Sequence, residues 1–414
     1  MTFQLNHGIA LSADGKWLYA STDDKVYRWP YSSSSSSLDS RRTIVNNMTN
    51  SGHTTRTLLL PPSHPDLLLV SRGSQGNDDS GAREIGSGRS QLRSFDLSSV
   101  PDDDDADPID YITGDVLAWG LRNSVGVAQH PDGGIWSVEN SVDNLERDGE
   151  DVHRDNPGEE LNFHGFLNRS TDETGANYGY PMCVALWDTE GFPERGGMRT
   201  GDQFATGDGD ADDDECRDDY MKPRLTFQAH VAPLDIKFSK NGSEAFVTFH
   251  GSCKSCSSYV QSINNDLTES LHLGNREEPV GYKVVSIDFS SSGQPSVDSA
   301  STSAANTILS NKDLSRCPDD CFRPVGLAWD KDGKLFMSSD STGEIFVLHR
   351  NASGSDSGSD SGSGSSGGGD DDAGSSSGGD DDDEDGVLSM QQFAPRSAAW
   401  AVSFAALVIG MLLA

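Results

Sequence analysis

One phrase recurs along this chain and limits what it can fold into. It runs from His7 to Ala20 around Asp14-Gly15, and returns from Val125 to Val138 around Asp132-Gly133. A third copy runs from Val325 to Met337 around Asp332-Gly333. Weaker copies join Leu58–Leu60 to Leu67–Val70, and Leu234–Phe238 to Ala245–Val247 through Asn241-Gly242. Each reads as a strand, a turn set by Asp-Gly or Asn-Gly, and a second strand of alternating apolar residues. Hairpins repeated through a chain that shows no helical period predict an all-β propeller rather than a sandwich, which has no reason to repeat one phrase. Five hairpins are legible, and six would complete a common closure. The 44 glycines and a 34% hydrophobic content argue against a helical bundle.

The net charge is −35, which excludes a partner that needs a basic face, nucleic acid above all. Residues 1–350 read as the propeller. Residues 351–396 are rich in Gly, Ser and Asp, end in an acidic run through Asp385, and predict a disordered linker. Residues 397–414 are uncharged and apolar. After a spacer this pattern predicts a GPI-attachment signal, with a C-terminal transmembrane anchor as the alternative. Both place the globular part outside the cell, anchored to the membrane. The first residues carry no signal-peptide pattern, so the reading expects the natural chain to begin upstream. Sequons at Asn47, Asn168, Asn241 and Asn351 agree with secretion.

Several phrases go beyond a generic propeller. Gly52-His53-Thr54-Thr55-Arg56, Gly120-Leu121-Arg122-Asn123, Asn177-Tyr178-Gly179-Tyr180-Pro181, Phe249-His250-Gly251-Ser252, Pro279-Val280-Gly281-Tyr282-Lys283 and Arg323-Pro324-Val325-Gly326 follow in that order. Over roughly residues 5–350 the chain resembles the sorbosone/glucose dehydrogenase family, nearest the fungal pyranose dehydrogenases that depend on pyrroloquinoline quinone (PQQ). The resemblance implies a six-bladed propeller with PQQ and Ca²⁺ at the centre of one face. It also implies that one blade's worth of N-terminal sequence is missing.

PQQ is a planar tri-acid with an electrophilic quinone, so its pocket must supply cations and a base. The resemblance makes His53 the base that takes the proton of a sugar hydroxyl, a role suited to a neutral imidazole. It puts Arg122 beside the quinone oxygen, where it would stabilise developing negative charge. Arg56 is expected to pair with a PQQ carboxylate through its planar fork, with Arg323 as a further cation and Asn123 as a hydrogen-bonding group. His250 is expected to face the cofactor, and His7 stands at a similar strand entrance. Calcium needs several hard oxygens. The stretch 139–162 is the richest source, with Asp155 and Glu159 as the favoured ligands. The competing acidic run 208–219 reads as a solvated loop.

Six cysteines in an exported chain predict disulfides, with Cys317–Cys321 and Cys183–Cys216 as the natural pairs. Cys253 and Cys256 fall in a stretch foreign to the family, which runs from His-Gly-Ser directly into Trp-Asn-Arg. Codons for Cys253-Lys254-Ser255 can hold a splice donor, and those for Leu273-Gly274 an acceptor. Joining the flanks restores a Trp codon. We read residues 253–274 as a retained intron, which would bring Arg276 to the cofactor. Sequencing of mature message across this segment tests the reading, and unspliced reads would reject it.

The leading expectation is a PQQ- and Ca²⁺-dependent dehydrogenase of pyranose sugars that hands electrons to an external acceptor. Two alternatives are a calcium-dependent lactonase-type propeller, which needs none of the arginines, and a non-catalytic cell-surface binding propeller.

Overall fold

The computed structural model describes residues 4–100, 106–207, 209, 211–252, 279–350 and 388–393. Arg276, Cys253, Cys256, the proposed intron, the tract 351–387 and the apolar C-terminus lie outside these residues.

Five sheets, each with a four-stranded antiparallel body, follow one another as blades; the first two carry further short strands at their edges. Blade 1 contains Ile9–Leu11, Trp17–Ser21, Val26–Ser32 and Arg42–Asn46, and blade 2 contains Leu58–Leu59, Leu67–Arg72, Gln91–Asp96 and Asp115–Trp119. Blade 3 is built from Ser124–Gln129, Gly134–Glu139, Glu159–Phe166 and Leu225–Phe227, and blade 4 from Pro233–Phe238, Glu244–Phe249, Lys283–Asp288 and Asn306–Ser310. Blade 5 consists of Pro324–Trp329, Leu335–Ser339, Glu344–Arg350 and Leu388–Phe393. The all-β propeller expectation holds, with five blades among the described residues where six were expected. The first of them has all four strands. Leu388–Phe393, which falls within the stretch read as linker, pairs antiparallel with Ile345–Arg350 as the outer strand of blade 5.

The repeated phrase earns its place through one backbone conformation. Gly15, Gly133, Gly242 and Gly333 all sit at positive φ, between +68° and +99°, which side chains with a Cβ avoid. In three of these turns the preceding Asp14, Asp132 or Asn241 accepts the backbone N–H two residues on, at 2.8–3.1 Å. The turn fixes the register, and the register sends alternate side chains into the spaces between blades.

Innermost strands of successive blades lie against one another from blade 1 to blade 5. Hydrogen bonds stitch these contacts: Ser21 Oγ donates to the Arg56 carbonyl (2.8 Å), Thr248 Oγ1 to Val325 (2.8 Å) and Trp329 Nε1 to Phe238 (2.8 Å). Between blades 3 and 4, Trp136 is fully buried among Phe163, Phe238 and Phe289, with ring centroids 4.8–6.3 Å away.

A long excursion between the third and fourth strands of blade 3 has its own core, which includes Tyr180, Val184, Leu186, Phe192 and Phe204. Cys183–Cys216 closes it, and Cys317–Cys321 closes a loop before blade 5, both as expected. The run 208–219 is more than solvated loop. Asp213–Asp218 is a helix opened by a capping box between Asp212 and Glu215, and Asp213 pairs with Arg147 at 2.6 Å.

Candidate active site

Antiparallel strands bring the start of each blade's first strand and the end of its second to the same end of the propeller. His7, His53, Arg122 and Arg323 all precede first strands, and His250 follows a second strand. The sequence expectations for these residues therefore converge on one face.

His53 lies in the loop that enters blade 2. Its Nδ1 is 2.8 Å from Ser74 Oγ, and that hydroxyl donates its own proton to the Gly76 carbonyl at 2.6 Å. The hydroxyl must therefore accept from His53, which puts the ring proton on Nδ1 and leaves Nε2 with a free lone pair. Burial, followed by the positive charge of Arg122, pushes the His53 pKa down to about 3. The imidazole is thus neutral at any physiological pH. The wall beside it is tight: a Cβ on Gly73 would fall 2.7 Å from both His53 Cβ and Asn123 Oδ1.

Arg122 is nearly buried and densely bonded. It donates to the Asn77 carbonyl (3.3 Å), Asn77 Oδ1 (2.9 Å), the Asn140 carbonyl (3.3 Å) and Asp143 Oδ2 (3.3 Å). Its carbonyl holds the Ser74 N–H at 2.8 Å, so the Arg122 strand entrance and the His53 support are one unit. Next to it, Asn123 donates its backbone N–H to Glu139 Oε1 (2.8 Å) and accepts from Thr55 Oγ1 (3.3 Å). Glu139 also accepts from Ser124 Oγ at 2.5 Å. Burial, and the Glu160 carboxyl opposite it across the sheet, raise the Glu139 pKa to about 8. Burial likewise raises Glu160, to about 7.

Arg56 lies beneath His53, in the loop that enters blade 2. It is fully buried, and its guanidinium donates to the carbonyls of Met48 (2.6 Å), His53 (2.9 Å) and Thr55 (2.6 Å). These three bonds use three of its five N–H groups and tie together the carbonyls beneath His53, while Nε is buried without a hydrogen-bond partner among the described residues.

On the blade 4 and 5 side, His250 Nε2 faces Arg323 Nε (3.1 Å) and Nη2 (2.8 Å) and also Asp340 Oδ2 (3.0 Å), so it accepts from the guanidinium or donates to the carboxylate according to its protonation, and Arg323 pairs with Asp340 at 3.4 Å. Burial works to raise the Asp340 pKa, but His250 and Arg323 outweigh it and the carboxyl lies below its ordinary value. His7 reaches the same space. Its pKa is lowered, first by burial, and it interacts with Asp235, Lys237, His250 and the Val125 backbone.

The two favoured calcium ligands do not come together. Asp155 is exposed, beside Arg154 at 3.8 Å, whereas Glu159 is buried and accepts the Ser141 N–H at 2.7 Å. No group of three or more His, Cys, Asp or Glu suited to a metal forms among the described residues. Sequence reasoning did not single out Ser74, Asn77, His230 and Asp340, in loops at this face, and it read Glu139, at the end of a strand, and Asp143 only as part of the acidic stretch 139–162. Strand exits searched in the same way as strand entrances would have found most of them.

Fold and site together define a β-propeller whose strand entrances build one cationic, histidine-bearing end. The chain belongs to the TrAA12-like family, whose model matches residues 1–351. It is 51% identical over 353 residues to a pyrroloquinoline quinone-dependent sugar dehydrogenase of Hypocrea jecorina, covering 84% of this chain and 75% of that protein. A solved calcium structure of a Trichoderma reesei carbohydrate-active enzyme of family AA12 is 52% identical, with a TM-score of 0.76 over 83% of this chain and 80% of that one. The pyrroloquinoline quinone-dependent pyranose dehydrogenase of Coprinopsis cinerea is 35% identical across 84% of this chain, which spans 46% of its length. The holo form of its PQQ domain gives a TM-score of 0.73 at 34% identity, over 83% of this chain and 81% of that one.

Proposed function

We propose that this protein is a PQQ-dependent dehydrogenase that oxidises a carbinol of a pyranose sugar and passes the electrons to an external acceptor. The observation that carries the reading is the neutral His53, its Nε2 lone pair free, beside the Arg122 guanidinium, in a chain half identical to a sugar dehydrogenase with that cofactor.

The donor set fits a planar tri-acid. Arg122 and Arg323 supply cations, Asn123 and the histidines supply hydrogen-bonding groups, and all stand at one end of the inner strands. When bound, the quinone supplies a two-electron oxidant that no side chain can replace. His53 Nε2 accepts the hydroxyl proton of the sugar, and Ser74 holds the ring in the tautomer that makes this possible. A pKa lowered this far makes His53 a permanently available base but a weak one, so the proton transfer depends on alignment and on Arg122 stabilising the negative charge that develops. No calcium ligand set is assigned among the described residues.

Secretion and surface anchoring belong to the same proposal. Two disulfides among the described residues support an oxidising compartment, and the apolar C-terminal run supports the anchor.

The test is to titrate apo-protein with PQQ, with and without Ca²⁺, and to follow dye reduction across a panel of aldoses and 2-ketoses. Saturable cofactor binding with sugar-dependent reduction is expected. Folded protein that binds no PQQ would remove the reading.

A further inference from the structure

The loop between blades 3 and 4 carries a histidine that the mechanism above does not use. His230 is buried. Its Nε2 is 2.5 Å from the carbonyl oxygen of His153, and its Nδ1 is 3.2 Å from Asp143 Oδ1. A carbonyl oxygen can only accept, so Nε2 must carry a proton. An ionised carboxylate also only accepts, so the Nδ1 contact is attractive only if that nitrogen carries a proton too. An imidazole with an acceptor at each nitrogen satisfies both as the imidazolium. The other oxygen of Asp143 bonds Arg122 at 3.3 Å, so the carboxylate is held between two cations.

The backbone supports this placement. His230 and Ala232 sit at φ +65° and +52°, the left-handed region that non-glycine residues enter only against strain. The loop is held there by its neighbours. Gly251 and His250 donate their N–H groups to the carbonyls of Val231 (2.9 Å) and Ala232 (3.0 Å), and Asn140 Nδ2 donates to that of Pro233 (2.8 Å). A single strained segment thus links the His250 strand exit to the Asp143–Arg122 pair.

Resting on the dehydrogenase reading, we propose that His230 is a cationic positioning residue that acts through Asp143 on Arg122. Paired with Arg122 alone, Asp143 would cancel the charge which an anionic cofactor needs. With the imidazolium on its other oxygen, the three groups keep a net positive charge and Asp143 still fixes the guanidinium. The charged or titratable groups around His230 are Asp143 and, behind it, Arg122, together with His153 and its partner Asp151.

The first measurement uses the full chain without cofactor, labelled with ¹⁵N-histidine, with His230→Gln to assign the resonance. Both ring nitrogens of His230 should be protonated at neutral pH, and a neutral tautomer would overturn the proposal. The second compares PQQ affinity in the wild type, His230→Gln and His230→Lys. The glutamine variant should bind PQQ about tenfold more weakly, with the sugar KM unchanged, and the lysine variant should recover part of the loss. Wild-type affinity in His230→Gln would overturn the proposal. A wild type that binds no PQQ would instead remove the dehydrogenase reading and the cofactor role of His230 with it, leaving its charge state to the first measurement.

Discussion

The two sides of the candidate site are built differently. Around Arg122 the side chain is 7% exposed and held by four hydrogen bonds, to Asn77, Asn140 and Asp143, with Ser74 bonded to its main chain. Around Arg323 the side chain is 29% exposed and rests on two other side chains, His250 and Asp340, the latter 48% exposed. The first side is pre-organised in the folded chain, so its groups lose little freedom when a ligand or transition state arrives. The second side can turn to meet a ligand, with a weaker hold on it. Chemistry that needs alignment belongs on the first side, and adaptable binding on the second.

The largest effect should come from removing the base on the rigid side. His53→Ala should lower kcat by about 10²–10⁴-fold while leaving PQQ binding nearly intact, checked by dye-coupled kinetics beside a fluorescence titration. Comparable loss in His250→Ala with little in His53→Ala would reverse the assignment of the two sides. Next in size is Arg56→Met, which takes a donor from the carbonyls of Met48, His53 and Thr55, of which His53 keeps Asn50, and should cost about 2–3 kcal/mol of stability, read as a lower Tm. That loss should be the same with and without PQQ. A variant with unchanged Tm and weakened PQQ binding would assign Arg56 to the cofactor.

A third prediction concerns pH. Folding raises the Glu139 carboxyl from 4.5 to about 8, so across that interval the folded chain holds a proton that the unfolded chain has released. Glu139 therefore makes the fold less stable as pH rises from about 4.5 to 8, with no further change above that. Glu139→Gln keeps the shape and an acceptor oxygen for the Asn123 N–H but cannot ionise. Its Tm should fall less than that of the wild type over this range. Parallel Tm profiles would assign the pH response to Glu160 or to the histidines instead.

The contrast between the two sides also explains what the sequence could show. The turn at Asp132-Gly133 is local, since the glycine and its Asx neighbour encode it within four residues, and with it the hairpin and the blade repeat. Arg122 and His53 were legible as chemistry because the phrases that carry them resemble those of the dehydrogenase family. The contacts of Arg56 were not, because a guanidinium looks the same in sequence whether its fork faces a cavity or three carbonyls. Asp143 and His230 are 87 residues apart in an acidic stretch and a loop, and only the packing of blade 3 against blade 4 makes them partners. The outer strand at Leu388–Phe393 was hidden by the polar tract before it, since composition reports what a segment can bury and not what edge is waiting to pair with it.

The smallest effect should come from the open side. Arg323→Ala removes a partly exposed cation whose side-chain contacts are with His250 and Asp340, so Tm should stay close to that of the wild type. PQQ affinity should fall about tenfold, in line with one charge-assisted contact to a carboxylate. Asp340→Asn removes the carboxylate that draws Arg323 and His250 together, and frees the guanidinium for an anion. Its PQQ affinity should therefore rise slightly or stay level, the opposite sign to Arg323→Ala. If Asp340→Asn weakened PQQ as much as Arg323→Ala does, Asp340 would be positioning Arg323 as Asp143 positions Arg122. The two sides of the site would then differ in exposure alone and not in design.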